Sequence, residues 1–589
     1  MYHVSEAYRR QMEKQTRNPA HVRIVFGLTE PDAPAASTLT DNGALPYSQV
    51  NQVDDGEPLP KTYETFELNR WVLDKKDPVC PDSEPAYQGY AGDEISDAGG
   101  MWSEPPTIIV TFSDYFQLAG LTFSFDESKN EYPTQLEVLA YSGDVEVFRS
   151  LEEPGGPYYK MEKRIPSMDR IELRFLKSCR PFLRARLTML TYGIIENLTA
   201  ENIVSCKQKI EVDPLSSKLP VQDFEFTRFD TDRIYDPENP SGVWQYLESR
   251  QPVEYQFGYE LDDGSVEWVP CGKTLSTGDV SIGRTGVVTE ITIKTTALPG
   301  HLTMTYDQGA YAETGRSLYD LALDVMEFAG YPDSIVLDES LKGVVTTVPL
   351  PKKAVNECLQ LIANAGRCMM RTRRDGKIEM IRHGADASEF TMNFSKMLSD
   401  GPKTEKYPIL RKFTTEYQNV SVEPSTVNAV QNAVVEDAAS TEIEFTHSSL
   451  TDHAAVVSEG LTLHGSRFYA AKSVLTLTGS GTVTITGKSV KSTAVKHVKV
   501  CNSVGDDVEM VNELLSTQAD AEAYAAWVTG ELGRRNQYTA DNRGYPELDA
   551  GDDILFQTNY ENEVAVTIMK HNIAFDGAIS GSGEYLIGG

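Results

Sequence analysis

Near the end of the chain runs Arg543-Gly544-Tyr545-Pro546-Glu547-Leu548-Asp549-Ala550-Gly551-Asp552-Asp553. Two stretches of alternating polarity follow it, Ile554-Leu555-Phe556-Gln557-Thr558 and Glu563-Val564-Ala565-Val566-Thr567-Ile568-Met569-Lys570-His571-Asn572-Ile573-Ala574-Phe575. Side chains of a strand alternate between faces, so this period of two predicts two half-buried strands. Asn559-Tyr560-Glu561-Asn562 supplies the turn between them. The reading is a hairpin closing a small barrel or sandwich. The Gly/Ser-rich run Asp576 to Gly583 reads as its end.

Upstream, Thr517 to Asn536 predicts a helix with Ala521, Tyr524, Ala525, Val528 and Leu532 in its apolar line. Residues 412–512 are rich in Thr, Ser and Val and read as strands, two of them joined through Gly479-Ser480-Gly481. Residues 315–370 hold the main helical part. Arg316 to Ala329 and Ala354 to Asn364 each carry an apolar face and end at a glycine, Gly330 and Gly366. A strand pair turning at Asp375-Gly376 follows. From Ile194 to Thr295 the pattern is again β, with an Asp-Gly signal in Leu261-Asp262-Asp263-Gly264-Ser265. Short β-runs fill Tyr63 to Tyr192, among them Thr107–Phe112, Gly120–Phe125, Gln135–Tyr141 and Arg170–Phe175, a spacing that indicates a β-sandwich. Pro31 to Pro60 reads as a linker or surface excursion, His21 to Gly27 as a strand, and residues 3–15 as a short helix capped by Ser5.

Lys plus Arg number 54 against 87 Asp plus Glu among 589 residues, a net charge of −33. Phosphate binding depends on cation contacts, so this balance argues against a broad nucleic-acid surface. The one dense basic stretch, with Arg371, Arg373 and Arg374, reads as a strand edge or a subunit contact. Seven scattered cysteines without a Cys-x-x-Cys predict buried free thiols rather than a zinc or redox site. No apolar run approaches the roughly 20 residues of a membrane span. The N-terminus lacks the apolar centre of a secretory leader, so folding in a cytoplasm is expected.

Three segments carry a resemblance. The "residue-Gly-x-Pro-x-Leu-x-x-Gly-Asp" wording is similar to a turn before the last strands of bacteriophage tail-tip and baseplate hub proteins. The stretch Gly258-Tyr259-Glu260-Leu261-Asp262-Asp263-Gly264, with Pro270-Cys271-Gly272-Lys273-Thr274, resembles the first domain of such hubs. The "Leu-Pro-x-x-x-Ala" helix with its Asp-Gly hairpin resembles their middle domain. Between the lead strand and residue 193, the order Trp71, Tyr90, Ser96-Asp97, Trp102, Ile108-Ile109-Val110-Thr111-Phe112 and Pro133-Thr134-Gln135-Leu136-Glu137-Val138 resembles a discoidin-type, galactose-binding-like jelly roll.

The resemblance implies a mainly β chain with a small α+β part: two hub-type β-barrel domains, an inserted β-sandwich and a helical middle domain. The expected division is a lead helix and first strand at 1–40, continued at 193–305 as barrel 1. A jelly roll at 60–192 interrupts it. A helical middle domain follows at 306–411, then a second barrel at 412–589 with one crossing helix. It implies a homotrimeric structural component of a phage virion tail, assembled in a bacterial cytoplasm and joining the tail tube to distal tail and tip or fibre proteins. DNA would pass only in transit through its lumen. The alternative is a host-adhesion protein that binds a surface glycan through the jelly roll. No enzymatic activity is expected.

The candidate site residues lie in the jelly roll. Trp71, Tyr87, Tyr90 and Trp102 read either as a sugar-stacking platform or as core, and Asp93, Glu94 and Asp97 either as a calcium site or as solvated turns. A structural calcium, which discoidin-type folds often hold, is the only cofactor implied. Asp549, Asp552 and Asp553 are a second acidic cluster. No P-loop, nucleophile elbow or His-x-x-x-His pair occurs, so no residues are assigned to catalysis.

Overall fold

A computed structural model of the chain describes residues 1–45, 48–54, 89–127, 129–240, 242–285, 288–384, 390–398 and 401–587. Strands make up 53% and helices 12%, so the protein is mainly β.

The lead strand Ala20–Thr29 buries Val22, Ile24, Phe26 and Leu28 on one face. It pairs antiparallel with Gly193–Thr199 on one side and Ser249–Glu260 on the other. From there one sheet runs on through Val266–Thr285, Val288–Thr296, Val221–Phe229 and Ile203–Glu211. It does not stop there. Ile203–Glu211 pairs with Val564–Phe575, from Cys206 opposite Phe575 to Glu211 opposite Lys570. Beyond lie Ile579–Ile587, Asn536–Asn542 and Lys403–Lys406, while Asp553–Phe556 pairs with Val564–Phe575 and with Thr391–Met392. Both halves share one core, in which Phe26, Phe224, Phe226, Tyr255 and Phe257 are continuous with Ile554, Phe556, Val566, Ile568 and Tyr585. Each such side chain removed from water contributes about 1.5–3 kcal/mol, so the two halves bind through packing as well as through the ladder.

The expected second barrel at 412–589 is therefore divided. Its closing strands extend the first barrel's sheet. Leu410–Thr446 and Lys472–Val500 instead pair with each other as a long ribbon in a separate five-stranded sheet, joined by Leu450–Val457, Leu461–Phe468 and Asp506–Glu509. The crossing helix Gln518–Glu531, capped by Thr517, leaves the barrel too: Tyr524, Ala525 and Val528 share a core with the middle helices Leu318–Phe328 and Val355–Ala365. Asn512, fully buried, ties these parts together by donating to the Leu361 carbonyl at 2.9 Å and to Asn364 Oδ1 at 2.7 Å.

Two further expectations need correction. Ser37–Asp41, inside the presumed linker, is a strand of the jelly roll, paired with Thr107–Leu118. It was hidden because Leu39 is its only buried residue. The Gly/Ser-rich end also contains a strand, Ile579–Ile587, between two partners. Small residues are required there: a Cβ on Gly581 would lie 2.5 Å from Asn542 Oδ1, and one on Gly583 would lie 2.4 Å from the Tyr585 hydroxyl.

The jelly roll packs a five-stranded sheet and a three-stranded sheet around Leu121, Phe123, Phe125, Val138, Ile171 and Phe175. Where it leaves and rejoins the barrel, the Glu30 amide donates to the Tyr192 carbonyl at 2.9 Å. Gly193 follows at φ +146°, where a Cβ would lie 2.3 Å from the Leu28 carbonyl oxygen, so only glycine lets the strands close over the junction.

Candidate functional site

The stretch 543–553 is the joint of the molecule. Gly544 sits at φ +73° with a would-be Cβ 2.4 Å from Ile579 Cγ2, and Gly551 at φ +89° with one 2.7 Å from Met369 Cε. The two glycines let the turn lie flat against the last strand on one side and the middle domain on the other. Arg374, at the tip of the Asp375-Gly376 hairpin, enters this turn. Its guanidinium donates to the carbonyls of Pro270 at 2.7 Å, Pro546 at 2.8 Å and Leu548 at 3.1 Å, and to Asp549 at 2.6 Å. First barrel, middle domain and closing strands thus meet on one side chain. From the N-terminal segment, Arg17 donates to the Gly544 carbonyl at 2.9 Å and also to that of Arg543, and it stacks over Tyr545 and Tyr259.

The acidic cluster is engaged by groups of the same chain. Asp549 faces Arg374. Asp552 lies 2.6 Å from the terminal ammonium and 3.7 Å from Arg371, and Asp553 lies 3.3 Å from His383. The Arg371–Arg374 stretch is likewise an internal feature, since Arg371 pairs with Glu379 at 2.6 Å and Arg374 is in the joint. Beneath the turn, His571 is fully buried and donates from Nε2 to the Tyr545 carbonyl at 3.1 Å. Burial pushes its imidazole down to about 4, so it is neutral in the folded protein. Glu547 of the same turn is buried too, and desolvation raises its carboxyl above the usual range.

The jelly-roll candidates separate. Trp71 and Tyr87 lie outside the described residues. Tyr90 is fully buried, stacked on Phe175 with centroids 6.1 Å apart, and donates to the Gly43 carbonyl. Trp102 is also core. Rings packed in this way offer no face to a sugar, which corrects the stacking-platform expectation for these two. The carboxylates of Asp97 and Glu94 are occupied in local turns: Asp97 accepts from the amides of Gly99 and Met101, Glu94 from Ser103. Among the described residues no three His, Cys, Asp or Glu side chains converge as a metal group. Of the histidines singled out in the Thr-rich region, His464 bonds Thr478 and His453 stacks on Phe468. The described cysteines are all free, and burial pushes the Cys358 thiol up to about 11.

Solved structures of tail proteins align with part of this chain. Alignment with the tail protein from Neisseria meningitidis MC58 gives a TM-score of 0.40 at 12% identity and covers 66% of this chain and 93% of that one. The chain resembles phage tail proteins. The 43 kDa tail protein of prophage MuSo2 from Shewanella oneidensis is similar with a TM-score of 0.39 at 11% identity, over 67% of this chain and 95% of that one. The family 32 CBM from C. perfringens NanJ, solved with galactose, aligns over 29% of this chain and 99% of its own, with a TM-score of 0.19 at 11% identity. No family model and no curated protein matches the sequence.

Proposed function

We propose that the protein is a structural hub of a phage-type tail, without chemistry of its own. The observation that carries this reading is the continuous sheet: two barrel halves in one chain, joined edge to edge along Cys206–Glu211 and Lys570–Phe575 and sharing one core. Three such chains would present six barrel halves around a lumen, a geometry suited to joining a sixfold tube to a threefold tip. The net charge of −33 fits a channel that nucleic acid traverses without being gripped. Tail tube, distal tail and tip or fibre proteins are the partners this role requires, and the jelly roll, inserted at Glu30 and Tyr192, would decorate the outside of the ring. The test is the absolute mass of the purified protein by light scattering, with negative-stain class averages. A mass near three times 65.3 kDa with a central hole is expected. A monomer at all concentrations, with no ring, would overturn the reading.

A further inference from the structure

A cleft of about 420 Å³ lies between the jelly roll and the first barrel, lined by polar groups from both. Pockets of about 300–1,000 Å³ are the usual size for small-molecule ligands. The barrel contributes Glu30, Gln245, Tyr246 and Glu248; the jelly roll contributes Tyr115, Gln117 and Ser167. These residues are held by a frame that is itself buried. Gln251, 1% exposed, donates to the carbonyls of Thr29 at 3.0 Å and Tyr246 at 2.6 Å and accepts the Glu248 amide at 3.2 Å, so the backbones carrying both glutamates are tied to one side chain. Across the gap, Arg164 of the jelly roll donates to the Pro240 carbonyl at 2.9 Å and stacks over Tyr246. At the rim Arg250 grips Asp32 with bonds of 2.8 and 2.7 Å.

The chemistry inside the frame is unspent. Among the described residues neither Glu30 nor Glu248 forms an ion pair, and the one bond to either carboxylate is the Asp32 amide at 3.5 Å from Glu30. Burial first, then the charge of Glu248, raises the Glu30 carboxyl, so the pair gains from any ligand that donates hydrogen bonds to both. Tyr115 is 59% exposed. It stands where Thr107–Leu118 slips register against its neighbour between Thr111 and Phe116, the kind of irregularity that re-aims side chains.

We propose that this cleft binds a saccharide, with Glu30 and Glu248 accepting from neighbouring ring hydroxyls, Gln117, Gln245 and Ser167 completing the polar contacts, and Tyr115 covering the apolar face of the sugar. Carboxylates, an aromatic ring and neutral amides lining one cleft match the hydroxyls and C–H faces of a sugar. A bare cation fits less well, since no third carboxylate or histidine converges on the pair among the described residues. The proposal moves glycan recognition from the buried Tyr90 and Trp102 to the junction, and it is independent of ring formation.

The test uses the full chain on a glycan array, followed by titration of the best-binding sugar and of an oligolysine peptide against wild type, Glu248→Gln and Tyr115→Ala. Both substitutions change cleft side chains that form no hydrogen bond or ion pair, so unchanged thermal midpoints verify the fold. The expected result is sugar binding by wild type that weakens at least tenfold in each variant. Three results would overturn the proposal: no sugar bound by the wild type, sugar binding that both variants retain, or binding of the oligolysine alone, which would assign the cleft to a basic protein segment.

Discussion

The joint at 543–553 and the ribbon of Leu410–Thr446 with Lys472–Val500 both contain many polar residues and end up opposite in kind. In the joint the charged groups reach distant parts of the same chain: Arg374 bonds four acceptors, Arg17 two carbonyls of the turn, Asp549 and Asp552 face cations from elsewhere, and Asp553 faces His383. The ribbon spends its backbone on its own partner strand and buries little. Its far part holds a core of only Val435, Ala438, Leu461, Leu475, Leu477, Val483 and Ile485, while Val434 and Val456 are largely exposed. Five register slips interrupt its longest ladder, and positive φ at Asn432, Asp437 and Ser440 marks three of them. Such bulges twist an edge away from foreign strands, which protects an uncovered ribbon from aggregation. Density of long-range partners, more than composition, separates the body of the protein from its appendage.

Changes in the joint should therefore unfold the body, and changes in the ribbon should stay local. The largest effect is expected from Arg374→Ala, which strands the Asp549 carboxylate and three carbonyls; about 4 kcal/mol should be lost in urea unfolding of the body. A loss under about 1 kcal/mol would mean that the joint does not hold the parts together. Next comes pH. His571 is neutral when folded and its value, about 4, lies below the 6.5 of an exposed histidine, so the unfolded chain binds the extra proton. The sign follows: His571 costs nothing above pH 6.5, and stability falls as pH drops toward 4, by about 3 kcal/mol in all. Glu547, raised by burial, acts in the opposite direction, losing stability as pH rises above the usual glutamate range. Comparing wild type with His571→Gln across this range isolates the first contribution, because the variant should lack that part of the acid slope.

Leu477→Ala sharpens the contrast from the other side. It should cost about 2 kcal/mol, felt as faster amide exchange in 430–485 while the unfolding midpoint of the body stays put. The smallest effect is expected from Arg467→Ala, whose pair with Glu442 is more than half exposed at both ends; stability should change by less than about 0.5 kcal/mol.

Much of this was legible in sequence. The helix cap at Ser5 falls where a side-chain acceptor precedes apolar periodicity, and it accepts the amide three residues on. Of the jelly-roll strands, Thr107–Leu118 alternates over its first half and Ile165–Ser178 over its middle. Ser37–Asp41 and Ile579–Ile587 were not legible, because an edge strand needs few apolar residues and a strand against bulky neighbours needs glycine, and both compositions imitate loops. The ladder between Ile203–Glu211 and Val564–Phe575 joins segments with no local signal for each other, which is why residues 412–589 read as one barrel. The cleft is the extreme case. Glu30, Tyr115 and Glu248 share neither a motif nor a spacing, and only the point of insertion brings them together.

Hydrogen exchange followed by mass spectrometry tests the one-body account most directly. Amides of 203–211 and 564–575 should open together, at the free energy of global unfolding, while those of 418–434 in the ribbon exchange orders of magnitude faster. If instead 564–575 opens independently of 203–211, the two barrel halves are separate units and the account is wrong.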